Sequence, residues 1–482
     1  MAKKAILIVF IGLIIFSAIY ALWDDREVTT SSEKAYEAYL AGDSARKKLY
    51  YRDAMADFEK AIKIDTNFAM AYANLAILYN ERGRKDEAKE IIKKAESLMP
   101  RVTKREQGLI KYMIAQVNWD TDQMMTAAKD FIENFPDDIY SNRYQADLYM
   151  EKHDYVGAIK EFEAIIKKDP GDALAYNMLG YLNLYNKNYE EALSYIKKYS
   201  VLADREANPH DSYGEILMYL GRYDEAIKAF ETADKIKPDL MFVITHLGMA
   251  YRCIGRYRDA IGYFERARDI AEGDDELIAA EFNIAHTYFM AEKLDRALEI
   301  LQEIINRYPR NQRALAFQGM IWARQGKIEQ ASMNLAHIDT LIAQDSTVGD
   351  SKSFSRLLNR VFLESFIALG KAEYDIAEEN FRKLSEVSRP PDSYYLRDFL
   401  GETYQKMNKY AEAESTYREN LAENPNFAHT LYLMAQLYRD NGQTDNQKQM
   451  LLKYLSVMSG ADDDVPDAIT ARAQLDSLSL IP

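Results

Sequence analysis

A chain of 482 residues that is 48% apolar and 28% charged can bury a large core, and it carries too much charge to lie wholly within a membrane. Its net charge of −15 is spread along the sequence, which argues against nucleic acid as the main partner because phosphate binding needs a basic face. The single cysteine, Cys253, excludes an intramolecular disulfide and leaves no N-terminal cysteine for lipid attachment, so the fold must stand on its core.

The first predicted element is apolar. From Ala5 to Trp23 only Gly12 and Ser17 break the run, Lys3 and Lys4 precede it, and Asp24-Asp25 follows. At a rise of about 1.5 Å per residue such a stretch just crosses a hydrocarbon core of roughly 30 Å. Two readings are open. In one, residues 1–23 are a transmembrane signal-anchor, with the lysines cytoplasmic and the remainder of the chain on the other side of the membrane. In the other, Ser17-Ala18-Ile19-Tyr20-Ala21 is the cleavage region of a signal peptide and the chain is secreted or periplasmic. Both readings export the rest of the chain. Residues 24–32 are expected to be a linker, and Ser31-Ser32-Glu33 a helix cap.

Beyond that point the chain repeats itself. Gly214, Gly221, Tyr223, Ala226, Phe230 and Ala233 are followed 34 residues later by Gly248, Gly255, Tyr257, Ala260, Phe264 and Ala267. Leu247, Gly248 and Tyr251 fall on one helical face, Gly255 suits the left-handed turn that ends a helix, and Ala260, Phe264 and Ala267 mark a second helix. The small residues let the two helices approach closely while the aromatics fill the space between pairs. The alanine opening each second helix gives the register: Ala54, Ala88, Ala158, Ala192, Ala226, Ala260, Ala297, Ala331, Ala377 and Ala413. A degenerate unit with Met124 in the alanine place fits the gap between Ala88 and Ala158. Prolines close units at Pro100, Pro136, Pro170, Pro238, Pro309 and Pro425.

This period and pattern resemble the tetratricopeptide repeat family. The resemblance implies an all-α solenoid of about twelve helix-turn-helix units over residues 33–458, followed by a C-terminal tail, 459–482. The turn of the first unit looks longer than usual. Insertions are expected at Glu272-Gly273-Asp274-Asp275 and from about Asp339 to Phe354, the latter either a hinge between half-solenoids or a surface bulge. The last unit, from Ala428, carries Gln447 where alanine is expected and reads as a polar cap. Asp462-Asp463-Asp464 lacks the spacing of a calcium loop and reads as a solvated linker.

No phosphate-binding loop, nucleophile elbow or metal-binding histidine pair is present, so no catalytic residue, metal or cofactor is assigned. Cys253 reads as a buried or half-buried structural thiol. Binding is what remains. In the resembled family the first helix of each unit lines a concave groove that takes peptides, and projecting that face selects Asn74, Arg143, Tyr144, Asn177, Tyr181, Asp211, His246, Asn283 and His286. Asparagine can hold an extended backbone through donor and acceptor, and tyrosine offers apolar area with a polar tip. Co-chaperone members hold a peptide carboxylate with lysines and asparagines; Tyr39 and Asp43 stand in the basic and amide places here, a departure from that clamp. Asn208 to Glu215 and the opening around Tyr39-Leu40-Ala41-Gly42 are also similar to repeats attached to bacterial signalling proteins.

These readings combine into a membrane-anchored extracytoplasmic scaffold of the bacterial envelope that binds a protein or peptide in its groove. The alternatives are a sensor or regulatory module of a signalling complex, and a non-catalytic substrate-recruiting subunit of an envelope enzyme.

Overall fold

The computed structural model of the chain describes residues 27–344, 351–388 and 392–479. The apolar segment over 1–23 and most of the polar loop after Gln344 lie outside the described residues. Among those described there are 25 α-helices, one 3-10 turn at Met99–Arg101 and no strand. None of these helices is long and apolar enough to cross a membrane. Two compact units divide between Asn186 and Lys187.

The first unit holds α1 (Glu33–Lys47), α2 (Tyr51–Ile64), α3 (Ala69–Glu81), α4 (Lys85–Leu98) and α5 (Lys104–Val117). It continues through α6 (Thr121–Asn134), α7 (Ile139–Glu151), α8 (Tyr155–Lys168) and α9 (Ala173–Tyr185). The second unit opens with α10 (Tyr189–Leu202), α11 (Ala207–Tyr219), α12 (Tyr223–Ile236), α13 (Met241–Cys253) and α14 (Tyr257–Asp269). Next come α15 (Asp274–Met290), α16 (Leu294–Arg307), α17 (Gln312–Arg324), α18 (Ile328–Ala343), α19 (Ser351–Gly370) and α20 (Tyr374–Val387). It ends with α21 (Asp392–Lys406), α22 (Tyr410–Glu423), α23 (Ala428–Asp440), α24 (Thr444–Val457) and α25 (Pro466–Ser479).

The twelve expected helix-turn-helix units follow one another from α1 to α24, and the boundary of the two compact units falls in the turn between α9 and α10. The turn inside every pair contains one residue of positive φ. Five are glycines, among them Gly255 at +75°, and seven are not: Leu49, Trp119, His153, Lys187, Glu292, Ala372 and Asn408. The left-handed step is thus set by the hairpin of helices, and glycine only makes it cheaper. The first turn, Lys48–Tyr50, is no longer than the others; α1 itself extends further.

All ten register alanines are fully buried, while Met124 is only half-buried. Close approach explains them, as it explains Gly214: a Cβ there would come within 2.6 Å of the Phe230 ring. The expected loop from Asp339 to Phe354 is helical at both ends, where Leu341 is held in the core and α19 begins at Ser351; residues 345–350 lie outside those described. Ile338 and Leu341 before it share one apolar cluster with Leu363 and Phe366 after it. The other insertion is also shorter than expected, since Asp274 and Asp275 form the first turn of α15.

Residues 27–32, read as linker, are strapped to the first unit. Thr29 donates from its N–H and its hydroxyl to Glu106 at 2.7 and 2.6 Å, and the Thr30 hydroxyl donates to Asp65 at 2.6 Å. Ser32 caps α1 as expected, accepting from Ala35 N–H.

The second unit returns on itself. Asn424 donates to the Tyr223 hydroxyl at 3.1 Å, Asn426 Nδ2 to the Gly221 carbonyl at 3.0 Å, and Lys187 pairs with Glu423 at 2.8 Å. The aspartate run is a clasp and not a solvated linker. Asp462 N–H donates to the Gly255 carbonyl at 3.1 Å, its carboxylate accepts from Arg258 N–H at 2.9 Å, and Asp464 pairs with Arg258 and Lys293. Beyond it α25 buries Ala468 and Ala471 completely, so this helix, rather than α24, closes the stack; Gln447 is covered and donates to Gln474.

Candidate functional site

Closure of the second unit turns the inner faces of its first helices toward one another. They line a partly open cavity of about 550 Å³, within the range of small-molecule and peptide sites. Helices α13, α15, α17, α19, α21 and α23 supply nearly all of its wall. The family expectation that first helices line the concave side is met here.

The wall is mainly aromatic. Phe317 lies 5.2 Å from Phe282 and 5.3 Å from Phe289, both edge-on, and Phe362 and Phe399 complete the surface with Tyr395. His286 sits among them, 5.2 Å from Phe317 and 6.0 Å from Tyr395. Burial, with the charges of Arg252 and Arg313 added, pushes its pKa well below the ordinary histidine range, so the ring is neutral at pH 7.

Two guanidiniums stand in this apolar setting. Arg252, near the end of α13, is buried and donates to Asn283 Oδ1 at 3.2 Å. Arg313, at the start of α17, opens onto the cavity and lies 3.9 Å above the Phe282 ring. Among the described residues neither has a carboxylate within ion-pairing distance. Burial lowers the pKa of Arg313; the Asp392 carboxylate opposes that shift, more strongly than repulsion by Arg252 adds to it. At the rim Arg324 is engaged with Glu402 at 3.2 Å, and His429 pairs with Asp398 at 2.7 Å. The cavity thus offers hydrophobic area and two guanidiniums without an ion pair, with Asp392 as the one carboxylate on its wall.

Of the residues projected from sequence, only Asn283 and His286 line this cavity. Asp211 and His246 meet elsewhere in the second unit: His246 Nδ1 lies 2.9 Å from the buried Asp211 carboxylate. Burial lowers the imidazole pKa, but Asp211 outweighs it and holds the value up to about 9. Glu215 lies close to the same pair, and the three ligand atoms come within 4.8 Å of one another. The other five belong to the first unit. Asn74 is buried, donating to Met70 O at 2.9 Å and the Tyr39 hydroxyl at 3.3 Å; Asp43 is taken by Arg46 and Lys47. Tyr144 is buried, stacked on Tyr112 at 4.1 Å. Arg143 pairs with Asp172, Tyr181 packs near Tyr185, and Asn177 Oδ1 is buried without a hydrogen-bond partner among the described residues. Asn74, Tyr144 and Asp211 are therefore committed to internal contacts.

Arg252, Arg313, Phe317 and Tyr395 were not singled out from the sequence. Their signal is visible in retrospect: Ala316-Phe317 and Met320-Ile321 make α17 apolar on two faces, more than contact with its own partner helix requires. Cys253 is half-buried and free, and burial pushes its thiol up to about 11.

Family models described as tetratricopeptide repeat match residues 58–90, 240–310, 396–428 and 428–457, and a tetratricopeptide repeat-like domain model matches 104–240. Among curated proteins the chain is similar to anaphase-promoting complex subunit 3 of Schizosaccharomyces pombe, 23% identical over 52% of this chain and 37% of that one. It is also similar to the BBSome complex member BBS4 homolog of Drosophila melanogaster, 20% identical over 60% of this chain and 59% of that one. In both cases it spans less than two thirds of the relative. Among solved structures, the APC/C hetero-tetramer Cut9-Hcn1 matches over 92% of this chain and 96% of its own at 14% identity, with a TM-score of 0.35. MamA matches over 36% of this chain and 92% of its own at 22% identity, with a TM-score of 0.30.

Proposed function

The chain belongs to the tetratricopeptide repeat family, and from that premise we propose that it is a scaffold whose concave first-helix faces bind protein segments. The observation that carries this reading is the inner wall of the second unit. Phe282, Phe317 and Tyr395 present aromatic area and Arg313 presents a cation without an ion pair, all of them from the first helices α15, α17 and α21. Aromatic side chains and arginine are the residue types that dominate binding energy at protein interfaces. The matched relatives named as complex subunits support the same role.

The finer part of the proposal concerns place. Residues 1–23 act as an uncleaved anchor, the repeats face the extracytoplasmic side of a bacterial membrane, and tethering raises the local concentration of the complex there. The role is non-catalytic and independent of nucleic acid.

Crosslinking and pull-down from membranes with the full chain, and with a form lacking residues 1–23, tests both parts. The full chain should recover a defined protein set, and the shorter form should lose it from membranes while still binding it in solution. Recovery of no partner by either form would end the scaffold reading. Membrane retention of the shorter form would end the anchoring one.

A further inference from the structure

The Arg252 and Arg313 side chains pose a physical problem that the fold does not solve. Two like charges reach one apolar cavity, Arg252 buried and Arg313 exposed, and among the described residues neither forms an ion pair with a carboxylate. The single carboxylate on the wall, Asp392, is exposed and forms no ion pair with them. The buried Arg252 charge is costly in a low-dielectric setting unless it is paired, and repulsion from Arg313 adds to that cost. Elsewhere the protein pairs its arginines readily: Arg266 with Asp234 at 2.8 Å, and Arg397 with Glu423 at 3.0 Å, in the same unit. The exception coincides with the cavity of about 550 Å³, and places that break a packing rule mark function more often than accident.

The rest of the wall says what kind of anion fits. Phe282, Phe317, Phe362, Phe399 and Met320 offer apolar surface, and about 550 Å³ is far more than a bare inorganic ion fills. His286, neutral as argued above, adds a ring without adding charge. Asn283 already accepts from Arg252 and so fixes the guanidinium facing the cavity. A planar guanidinium fork matches a carboxylate by two parallel hydrogen bonds.

We infer that this cavity binds a small carboxylate amphiphile, its headgroup held between Arg252 and Arg313 and its hydrocarbon body lying against Phe282, Phe317 and Phe362. This goes beyond the scaffold reading and does not depend on it. A stack of helix pairs can hold such a molecule whether or not it also holds a protein. Binding would supply the missing negative charge and bury the open aromatic surface together, which neither a neutral lipid nor acetate can do.

Titration calorimetry on the full chain tests it with decanoate, decan-1-ol and acetate as probes, all below micelle concentration. Decanoate should bind with one-to-one stoichiometry, at least ten-fold more tightly than decan-1-ol, and acetate should not bind measurably. The double substitution Arg252→Gln with Arg313→Gln should abolish the preference for decanoate while leaving the weak binding of decan-1-ol. Equal binding of decanoate and decan-1-ol to the native chain would overturn the inference, as would a preference that survives the double substitution. Should the double variant fail to fold, photolabelling of the unaltered chain by a diazirine-bearing decanoate decides. Label on α13, α15, α17 or α19 supports the site; label confined to residues 5–23 shows only partition into the apolar segment and refutes it. A peptide ending in leucine that binds ten-fold more tightly than decanoate would transfer the cavity to a protein chain end and also overturn the proposal.

Discussion

Asp211 and His246 show why a polar position on a first helix is ambiguous from sequence. Both fall on the projected groove face, yet the carboxylate is buried and finds its partner on the next first helix, 2.9 Å away. The pair makes stability depend on pH in a definite direction. The folded imidazole pKa, about 9, lies above its unfolded value near 6.5, so the contribution is complete below about pH 6.5 and is lost as pH rises through about 9. Replacing His246 by glutamine should therefore cost on the order of 2 kcal/mol at pH 6 and little at pH 10, read from urea denaturation at both values. A constant difference across that range would show that packing, not charge, holds the site. A second prediction concerns backbone strain. Ala372 is exposed at φ +61°, a conformation that costs a Cβ-bearing residue about 1–2 kcal/mol, partly offset by the extra unfolded freedom of glycine. Ala372→Gly should raise stability by about 0.5–1 kcal/mol. No gain in thermal denaturation would mean that the turn is already relaxed around alanine. At this scale the burial of the ten alanines was legible because a methyl is the largest group that fits between helices so close. The ligands of each polar side chain were not, since they depend on residues one repeat away.

Helix pairs were legible almost throughout, because each one carries its own small and aromatic positions at the 34-residue spacing. Even the degenerate unit, with Met124 half-buried in the alanine place, forms α5 and α6 where expected. The contact that fixes spacing within a pair is testable at Gly214. A methyl there would press within 2.6 Å of the Phe230 ring, which is fully buried and has no free direction to move. Gly214→Ala should destabilise the second unit by about 1–3 kcal/mol despite the better helix propensity of alanine. A neutral or stabilising result would show that α11 and α12 can separate without loss. What the period did not reveal is the C-terminal clasp. Asp462 and Asp464 look like solvated charges when read locally, and their partners Gly255, Arg258 and Lys293 lie well upstream in the chain. Removing residues 459–482 should lower the melting temperature far more than Asp464→Asn. The truncation strips the cover from Leu451 and Tyr454, whereas an exposed ion pair contributes little.

In the whole molecule a long repeat array is expected to unfold by nearest-neighbour steps, each pair relying only on the next. The second unit departs from that rule, because Glu423, Asn424, Asn426, Asp462 and Asp464 tie its late pairs to its early ones. Opening such a closed turn requires losing contacts at both ends together, so it should behave as one cooperative block. The first unit, whose core runs from Val28 to Tyr144, has stacking and the strap of residues 27–32 to hold it. Hydrogen exchange with mass readout in increasing urea distinguishes the two behaviours. Peptides from α11 to α24 should exchange in a single step at the higher urea concentration, and peptides from α1 to α9 earlier and more gradually. Deleting residues 459–482 should narrow that difference, because it removes the Asp462 and Asp464 ties and the cover on α24 while leaving those of Glu423, Asn424 and Asn426. If α11 to α24 instead exchange helix by helix in the intact chain, the ties are too weak to close the turn. The cavity would then be an open face, and the case for a ligand enclosed between Arg252 and Arg313 would lose its structural basis.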